Sequence, residues 1–321
     1  MRNFPVLLFH STDDRELLSF KGLGNIRPGL FERLIVVLKK EFDIVSLEEL
    51  VRHISGGIRS EDCLLALTFD DGPKSYATQA VPVMESYGLP STCFLITDCI
   101  GDSAIYWRYL YNYCINKGLA QQLAGLINQE YMAGISEEEI VSYSRSHYNR
   151  EMNRRIIKRL LDSIVPEGEY RETEKDLFVS LEDIVRLKNN PLVGFGIHTR
   201  SHPVLKCLTD EEIRDEISGS LDFYRSEIGE DAPMFSIPFG RLFKDYDERT
   251  IAMAKTLSVN IVLSAYGGGN AAGQPLYNIR RISVNEEMLQ GRIASFVASL
   301  SDPLVPPEYE EKEKKLSGLL C

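Results

Sequence analysis

The chain has no apolar run approaching the roughly 20 residues that a membrane span requires. Val6-Leu7-Leu8-Phe9, near its start, is also too short for a signal-peptide core. A cytoplasmic protein is therefore expected, with action at the inner membrane face left open. Positive charge is not in excess: 36 Lys and Arg against 47 Asp and Glu leave a net charge of -11, which argues against nucleic acid or an anionic membrane as main partner. The six cysteines show no C-x-x-C spacing. Reduced, mostly buried thiols are expected rather than a disulfide frame or a zinc knuckle. There is no internal repeat. What remains is 44% hydrophobic and 26% charged, the balance of a soluble globular protein, in 321 residues, a length that single α/β barrels commonly occupy.

Strand and helix signals alternate along most of the chain, the pattern of parallel βαβ units. Val6 to Phe9 reads as a short buried strand that delivers His10 to a loop. Pro28 opens a helix with Leu30, Phe31, Leu34, Ile35 and Leu38 on one face and Lys39-Lys40 in its last turn. A brief strand from Asp43 to Val45 leads to a helix capped by Ser46. Leu64 to Phe69 is an unbroken apolar run closed by Asp70-Asp71-Gly72-Pro73, a buried strand emerging at a turn. A helix from about Tyr76 to Tyr87 and a strand from Thr92 to Thr97 follow. Residues 103–178 then hold no strand signal and read as a helical insertion on one side of the barrel. Alternation resumes with a helix from Ser180, a strand from Leu192 to Ile197, and a helix capped by Thr209 and Glu212. Strands at Met234 to Pro238, Val259 to Leu263 and Ile279 to Val284 precede a last helix running from Leu289 to Leu300. A barrel over residues 1–302 is expected, and residues 303–321, proline-bearing and charged, are expected to form a loosely attached tail.

Two adjacent carboxylates at a strand end repel, so a cation or a shared proton is expected between them. If Asp71 binds a metal ion, Asp70 stays ionised and can act as a base on metal-bound water. A helix cap plus an exposed charge is the plainer alternative. Only five histidines are present, and two of them, His198 and His202, leave the strand Gly194-Phe195-Gly196-Ile197. No Glu stands beside His198, and Pro203 biases His202 toward extended backbone, so this is not a helical zinc-protease pair. In a parallel barrel all strand ends face one rim, which brings these groups together. One carboxylate and two imidazoles leave open positions on a zinc-like ion.

Thr68-Phe69-Asp70-Asp71-Gly72 with His198-Thr199-x-x-His202 resembles the first two motifs of the NodB-like polysaccharide deacetylases, carbohydrate esterase family four, over about residues 4–300. The resemblance implies a distorted (β/α) barrel of six to eight strands and metal-dependent removal of acetyl groups from N-acetylated, occasionally O-acetylated, sugars. It makes Asp70 the base and Asp71, His198 and His202 the ligands of a divalent metal, zinc first, with cobalt, manganese, iron or nickel as alternatives. Pro238-Phe239-Gly240 resembles the end of the third motif, so Phe239 N–H would face the oxyanion. Three positions depart from the family pattern. The motif arginine that orients the base is replaced by Ser236; Arg281 either supplies that charge from another strand or serves at the surface or in an ion pair. No histidine follows His202 to act as acid, and His10, at the same rim, is the substitute, ahead of His53 and His147. The tryptophan motif for substrate is missing, so Trp107 or Tyr266 either stacks on a sugar ring or simply packs.

Two rival functions stand beside the deacetylase. An iron oxygenase would use the same two histidines and one carboxylate, but on an all-β scaffold and without a second Asp. A barrel that has lost turnover and binds a glycan or a partner is the other. For the enzyme, the expected partner is an acetylated sugar or glycan precursor made inside the cell.

Overall fold

The structure, a computed structural model, describes residues 3–56, 63–229, 234–301 and 304–320. The boundary expected at 302–303 and Cys321 lie outside these residues. The chain opens with β1 (Val6–Phe9), buried throughout, and α1 (Pro28–Glu41), which begins on its proline and buries the five apolar side chains of its inner face. After β2 (Asp43–Ile44), the Ser46 hydroxyl caps α2 (Leu47–Ser55) by accepting from the Glu49 N–H. Then come β3 (Leu64–Phe69), α3 (Val81–Ser86), entered through a π-helical turn at Tyr76–Ala80, and β4 (Ser91–Leu95). The insertion follows as α4 (Trp107–Asn116), α5 (Ala120–Tyr131), α6 (Ile140–Ser146), α7 (Arg150–Ser163) and α8 (Glu167–Thr173). The second half holds α9 (Leu181–Leu187), β5 (Val193–Ile197), α10 (Asp210–Glu227), β6 (Phe235–Ser236), α11 (Glu248–Thr256), β7 (Val262–Leu263) and β8 (Ile282–Ser283).

The last three strands are shorter than their apolar runs suggest. Pro238 has no N–H to offer a ladder, so β6 stops before it. The single helix expected at Leu289 to Leu300 is two, α12 (Glu286–Leu289) and α13 (Ile293–Ser299), parted near Gly291, whose φ of 68° belongs to the left-handed region.

Every strand pair is parallel, in the order β7-β6-β5-β4-β3-β1-β8, with β2 also paired to β3. Leu263 of β7 bridges Ile279, three residues before β8, so the chain segment that holds β8 closes a distorted barrel between β7 and β1. The period-2 alternation of β3 sorts its side chains onto two faces. Leu65, Leu67 and Phe69 pack with the surrounding helices, whereas Leu64 and Ala66 join Val6, Phe94, Leu263 and Ile279 in a separate inner cluster. By the same parity Thr68 and Asp70 continue the inner face toward the rim. No helix among the described residues is long and apolar enough to cross a membrane.

The charged C-terminal run is not a loose tail. It forms α14 (Pro307–Leu320), which buries Tyr309 and Leu316 and lies against α11. Its Glu313 carboxylate accepts two hydrogen bonds from Arg280 at 2.7 and 2.8 Å, one from Tyr266 Oη at 2.6 Å and one from Asn278 at 3.0 Å. Composition alone reads this segment as solvated, but a partner lies on the strand side of the barrel, in Arg280, to receive its charge. Glu313→Ala should lower stability by about 2 kcal/mol, the scale of hydrogen bonds to a charged group. A thermal melt indistinguishable from the wild type would show the helix to be unimportant to the barrel.

Candidate metal centre and catalytic cleft

Strand ends at one rim supply the site. β3 ends in Asp70 and Asp71, β5 in His198, with His202 four residues on, and β6 runs into Phe239. Asp71, Thr199, His202 and Phe239 all have φ between 56° and 70°, unusual for non-glycine residues. Such strained backbone concentrates at functional sites, because it persists only where the surroundings hold it. Gly240, also at positive φ, lies so close to the next strand that a Cβ there would sit 2.6 Å from the Ala265 nitrogen. Only glycine allows that turn to close.

The Asp71 Oδ1 atom lies 3.5 Å from His198 Nε2 and 3.5 Å from His202 Nε2. Tetrahedral ligands at zinc distances are about 3.3 Å apart, so both separations suit ligands of one ion, and the three residues' ligand atoms all lie within 4.8 Å of one another. Asp71 Oδ1 is buried and has no hydrogen-bond partner among the described residues, while Oδ2 accepts from Tyr109 Oη at 3.0 Å. A buried carboxylate oxygen left without a donor is costly unless a cation occupies that direction. Each histidine is oriented through its other nitrogen. His198 Nδ1 lies 2.7 Å from the Ser236 carbonyl and His202 Nδ1 lies 2.8 Å from Tyr106 Oη. The tautomers with Nδ1–H as donor leave both Nε2 lone pairs free, the arrangement of metal-ligating imidazoles. Asp71, His198 and His202 thus fit a divalent metal.

Asp70 is committed elsewhere. Arg281, fully buried at 0% exposure, reaches it from the residue just before β8 in a two-pronged ion pair, Nη1 to Oδ1 at 2.7 Å and Nη2 to Oδ2 at 2.8 Å. The same guanidinium donates to Ser236 Oγ at 2.7 Å and to the Ser264 carbonyl at 3.0 Å, and Ser236 Oγ lies 3.0 Å from Asp70 Oδ2. The surface alternative for Arg281 is excluded. It brings charge to Asp70 past the short Ser236 side chain, where an arginine at 236 would have stood.

Burial by itself would raise both carboxyl groups. Arg281, followed by His198 and His10, outweighs it at Asp70, and His198 and His202 outweigh it at Asp71, so both are held below the usual carboxylate range. Burial would likewise discharge His198, but the facing Asp70 and Asp71 raise it instead. His202, buried and next to His198, is pushed down to about 3 and so stays neutral, as a ligand must be.

A cleft of about 270 Å³ opens over these groups, lined also by His10, Tyr106, Arg108, Arg145 and Phe239. His10 is half-buried at the exit of β1, on the expected rim. Phe239 turns its ring to His202, with centroids 4.6 Å apart, and its backbone N–H has no backbone acceptor among the described residues. His53, on α2, and His147, stacked on Tyr143, do not line the cleft.

Two expectations need correction. Trp107 is 3% exposed, and its indole N–H donates to the His202 carbonyl at 3.0 Å. It holds the His202 loop and offers no free face to a sugar. Tyr266 is 8% exposed, stacks on Tyr309 at 4.1 Å and bonds Glu313. Its ring is covered by α14. Conversely, Tyr106 and Tyr109, which hydrogen-bond His202 and Asp71, carry no sequence signal beyond their spacing of three around Trp107-Arg108 at a helix start.

The sequence profile described as polysaccharide deacetylase matches residues 58–165 and 168–262. The chain belongs to that family, a class of hydrolases. No curated protein matches the chain by sequence. Among solved structures it is similar to IcaB from Ammonifex degensii, with a TM-score of 0.62 and 16% identity over 92% of this chain and 97% of that one. It is also similar to the Streptococcus pyogenes deacetylase PplD in complex with acetate, with a TM-score of 0.59 and 17% identity over 89% and 94% of the two chains. The BpsB deacetylase domain from Bordetella bronchiseptica gives a TM-score of 0.54 and 18% identity over 88% and 96%. At these identities the likeness is one of fold, and it agrees with the distorted (β/α) barrel described above.

Proposed function

We propose that the protein removes the acetyl group from an N-acetylated sugar or sugar precursor, with a divalent metal held by Asp71, His198 and His202. The observation that carries this reading is Asp71 Oδ1, buried, without a hydrogen-bond partner and 3.5 Å from two imidazole nitrogens, next to a second carboxylate already paired with Arg281. Two imidazoles and one carboxylate suit zinc first, with cobalt, manganese, iron and nickel as alternatives. When bound, the ion supplies positive charge that acidifies water and polarises the acetyl oxygen. Asp70, kept ionised by Arg281, takes a proton from the attacking water. Phe239 N–H donates to the oxygen that gains negative charge. His10 gives a proton to the nitrogen as the carbon–nitrogen bond breaks, so that water and the acetamide become acetate and a free amine. The fold shared with PplD, whose structure holds acetate, agrees with an acetate-releasing reaction.

Acetate release from a panel of N- and O-acetylated sugars, measured with protein reloaded with each metal, tests the reading. Chelation should abolish release and added metal should restore it. Tyr106→Phe, which removes the partner of His202 Nδ1, should weaken metal affinity by about 10–100-fold in a competition titration. A folded, metal-loaded protein that releases no acetate from any member, or one that works equally well after chelation, would overturn the proposal.

A further inference from the structure

The insertion supplies the cleft with positive charge that the deacetylation machinery does not use. Arg108, in the first turn of α4, and Arg145, in the last turn of α6, both line the cleft beside the metal-facing groups, and Arg241 joins them after β6. Arg145 lies over the Phe239 ring, 4.0 Å from its centroid, and that ring in turn packs on His202. One aromatic ring thus separates the guanidinium from a proposed metal ligand.

The charges there do not balance. Arg145 and Arg241 share one carboxylate, Asp245, at 2.8 and 2.9 Å. Arg108 has no ion pair or hydrogen bond among the described residues, and its Nη1 is buried without a partner, as is Nε of Arg145. Arg281 is already neutralised by Asp70, and among the described residues no carboxylate besides Asp70 and Asp71 lines the cleft. Three guanidiniums therefore face one carboxylate, beside a centre built for a divalent cation. Burial, with a smaller part from the nearby Arg145, lowers the Arg108 pKa against the opposing pull of Tyr106. In a chain whose net charge is -11, a cleft of this sign is set apart from the rest of the surface. A buried guanidinium is costly to leave unpaired, and its planar fork matches a phosphate or a carboxylate.

We propose that the acetylated substrate carries a phosphate group, bound by Arg108 and Arg145, so that the helical insertion selects phosphorylated sugars for the barrel to deacetylate. This rests on the deacetylase reading. Phosphate is favoured over carboxylate because two cationic charges are left over, and a phosphate ester dianion or a diphosphate meets both whereas one carboxylate meets one.

The test compares N-acetylglucosamine 1-phosphate with N-acetylglucosamine on the metal-loaded full chain, by acetate release and by calorimetric binding. The phosphorylated sugar should show a kcat/KM about tenfold or more above the neutral one, the scale of one charge-assisted hydrogen bond. Arg108→Gln should cost the phosphorylated sugar about tenfold more than the neutral one, which separates the guanidinium from phosphate bound directly to metal. Arg108→Lys keeps the charge without the fork and should lose less; it also serves if the glutamine variant fails to fold. UDP-N-acetylglucosamine binding more tightly than the 1-phosphate would support the proposal and identify a diphosphate-linked source. Equal kcat/KM for phosphorylated and neutral sugars, equal losses in Arg108→Gln, or tighter binding of N-acetylmuramic acid with its carboxylate would overturn it. Absence of turnover on every sugar would sink the deacetylase reading alone. Binding of the phosphorylated sugar that depends on Arg108 would then still uphold the anion site, and its absence would end that too.

Discussion

Replacing Asp70 by Asn is expected to lower acetate release by about 10²–10⁴-fold, the range lost with a general base, while metal bound per chain stays at the wild-type level. The two readouts separate because the proposed ligand atoms belong to Asp71, His198 and His202, and Asp70 is turned toward Arg281. An amide in that place cannot take a proton from water, and it leaves a fully buried guanidinium facing a neutral group. The variant should therefore also melt earlier, by an amount approaching the roughly 3–5 kcal/mol lost when one member of a buried pair is removed. Activity above about a tenth of wild type in a metal-loaded variant would take Asp70 out of the base role.

Arg281→Met carries the second large effect, and the physics runs in the opposite direction. Here the carboxylate is the group left unpaired, in a site where burial disfavours its charge. About 3–5 kcal/mol of stability should be lost at neutral pH. In the wild type the Asp70 carboxyl lies below its ordinary value of about 4, so its contribution to stability is present above that value and is lost as pH falls through the depressed one. Without the guanidinium burial loses its largest opponent and the carboxyl rises, so less of that contribution remains at neutral pH. The stability gap between variant and wild type should thus narrow in acid. The acidic limb of the activity profile should move to higher pH, because the base must be ionised to work. Denaturant melts and a pH–rate series on metal-loaded protein measure both. An unchanged profile with full stability would show Arg281 to be a bystander, despite its two short contacts.

Together these variants ask whether the pairing of Asp70 and Arg281 does what a motif arginine at position 236 does in relatives. Ser236 sits between them, its hydroxyl accepting from Arg281 and placed against Asp70, and its carbonyl orients His198. A small residue there makes room for the long side chain from the neighbouring edge of the barrel.

What the sequence determined by itself was local. Apolar runs broken by Asp70-Asp71 and by His198 are legible because a parallel strand buried on both faces reads as a continuous apolar stretch, and because strand ends in such a sheet share a rim. Most elements of the barrel follow from short-range pattern, and the three proposed ligands from motifs at two strand ends. The destiny of lone side chains did not. Trp107 and Tyr266 read as sugar platforms or, as lone aromatics more often are, as packing, and only their neighbours, the His202 carbonyl and Tyr309 of α14, made them packing. Glu313 in a charged tail looked solvated until Arg280 received it. Arg281 meets Asp70 across 211 positions of chain, and Arg108 and Arg145 line the cleft beside the proposed metal ligands only because the helices between β4 and β5 fold back over the rim. Desolvation and ion pairing depend on which groups come within a few ångströms in space. That is set by the packing of the whole barrel and is not written at any one stretch of the chain.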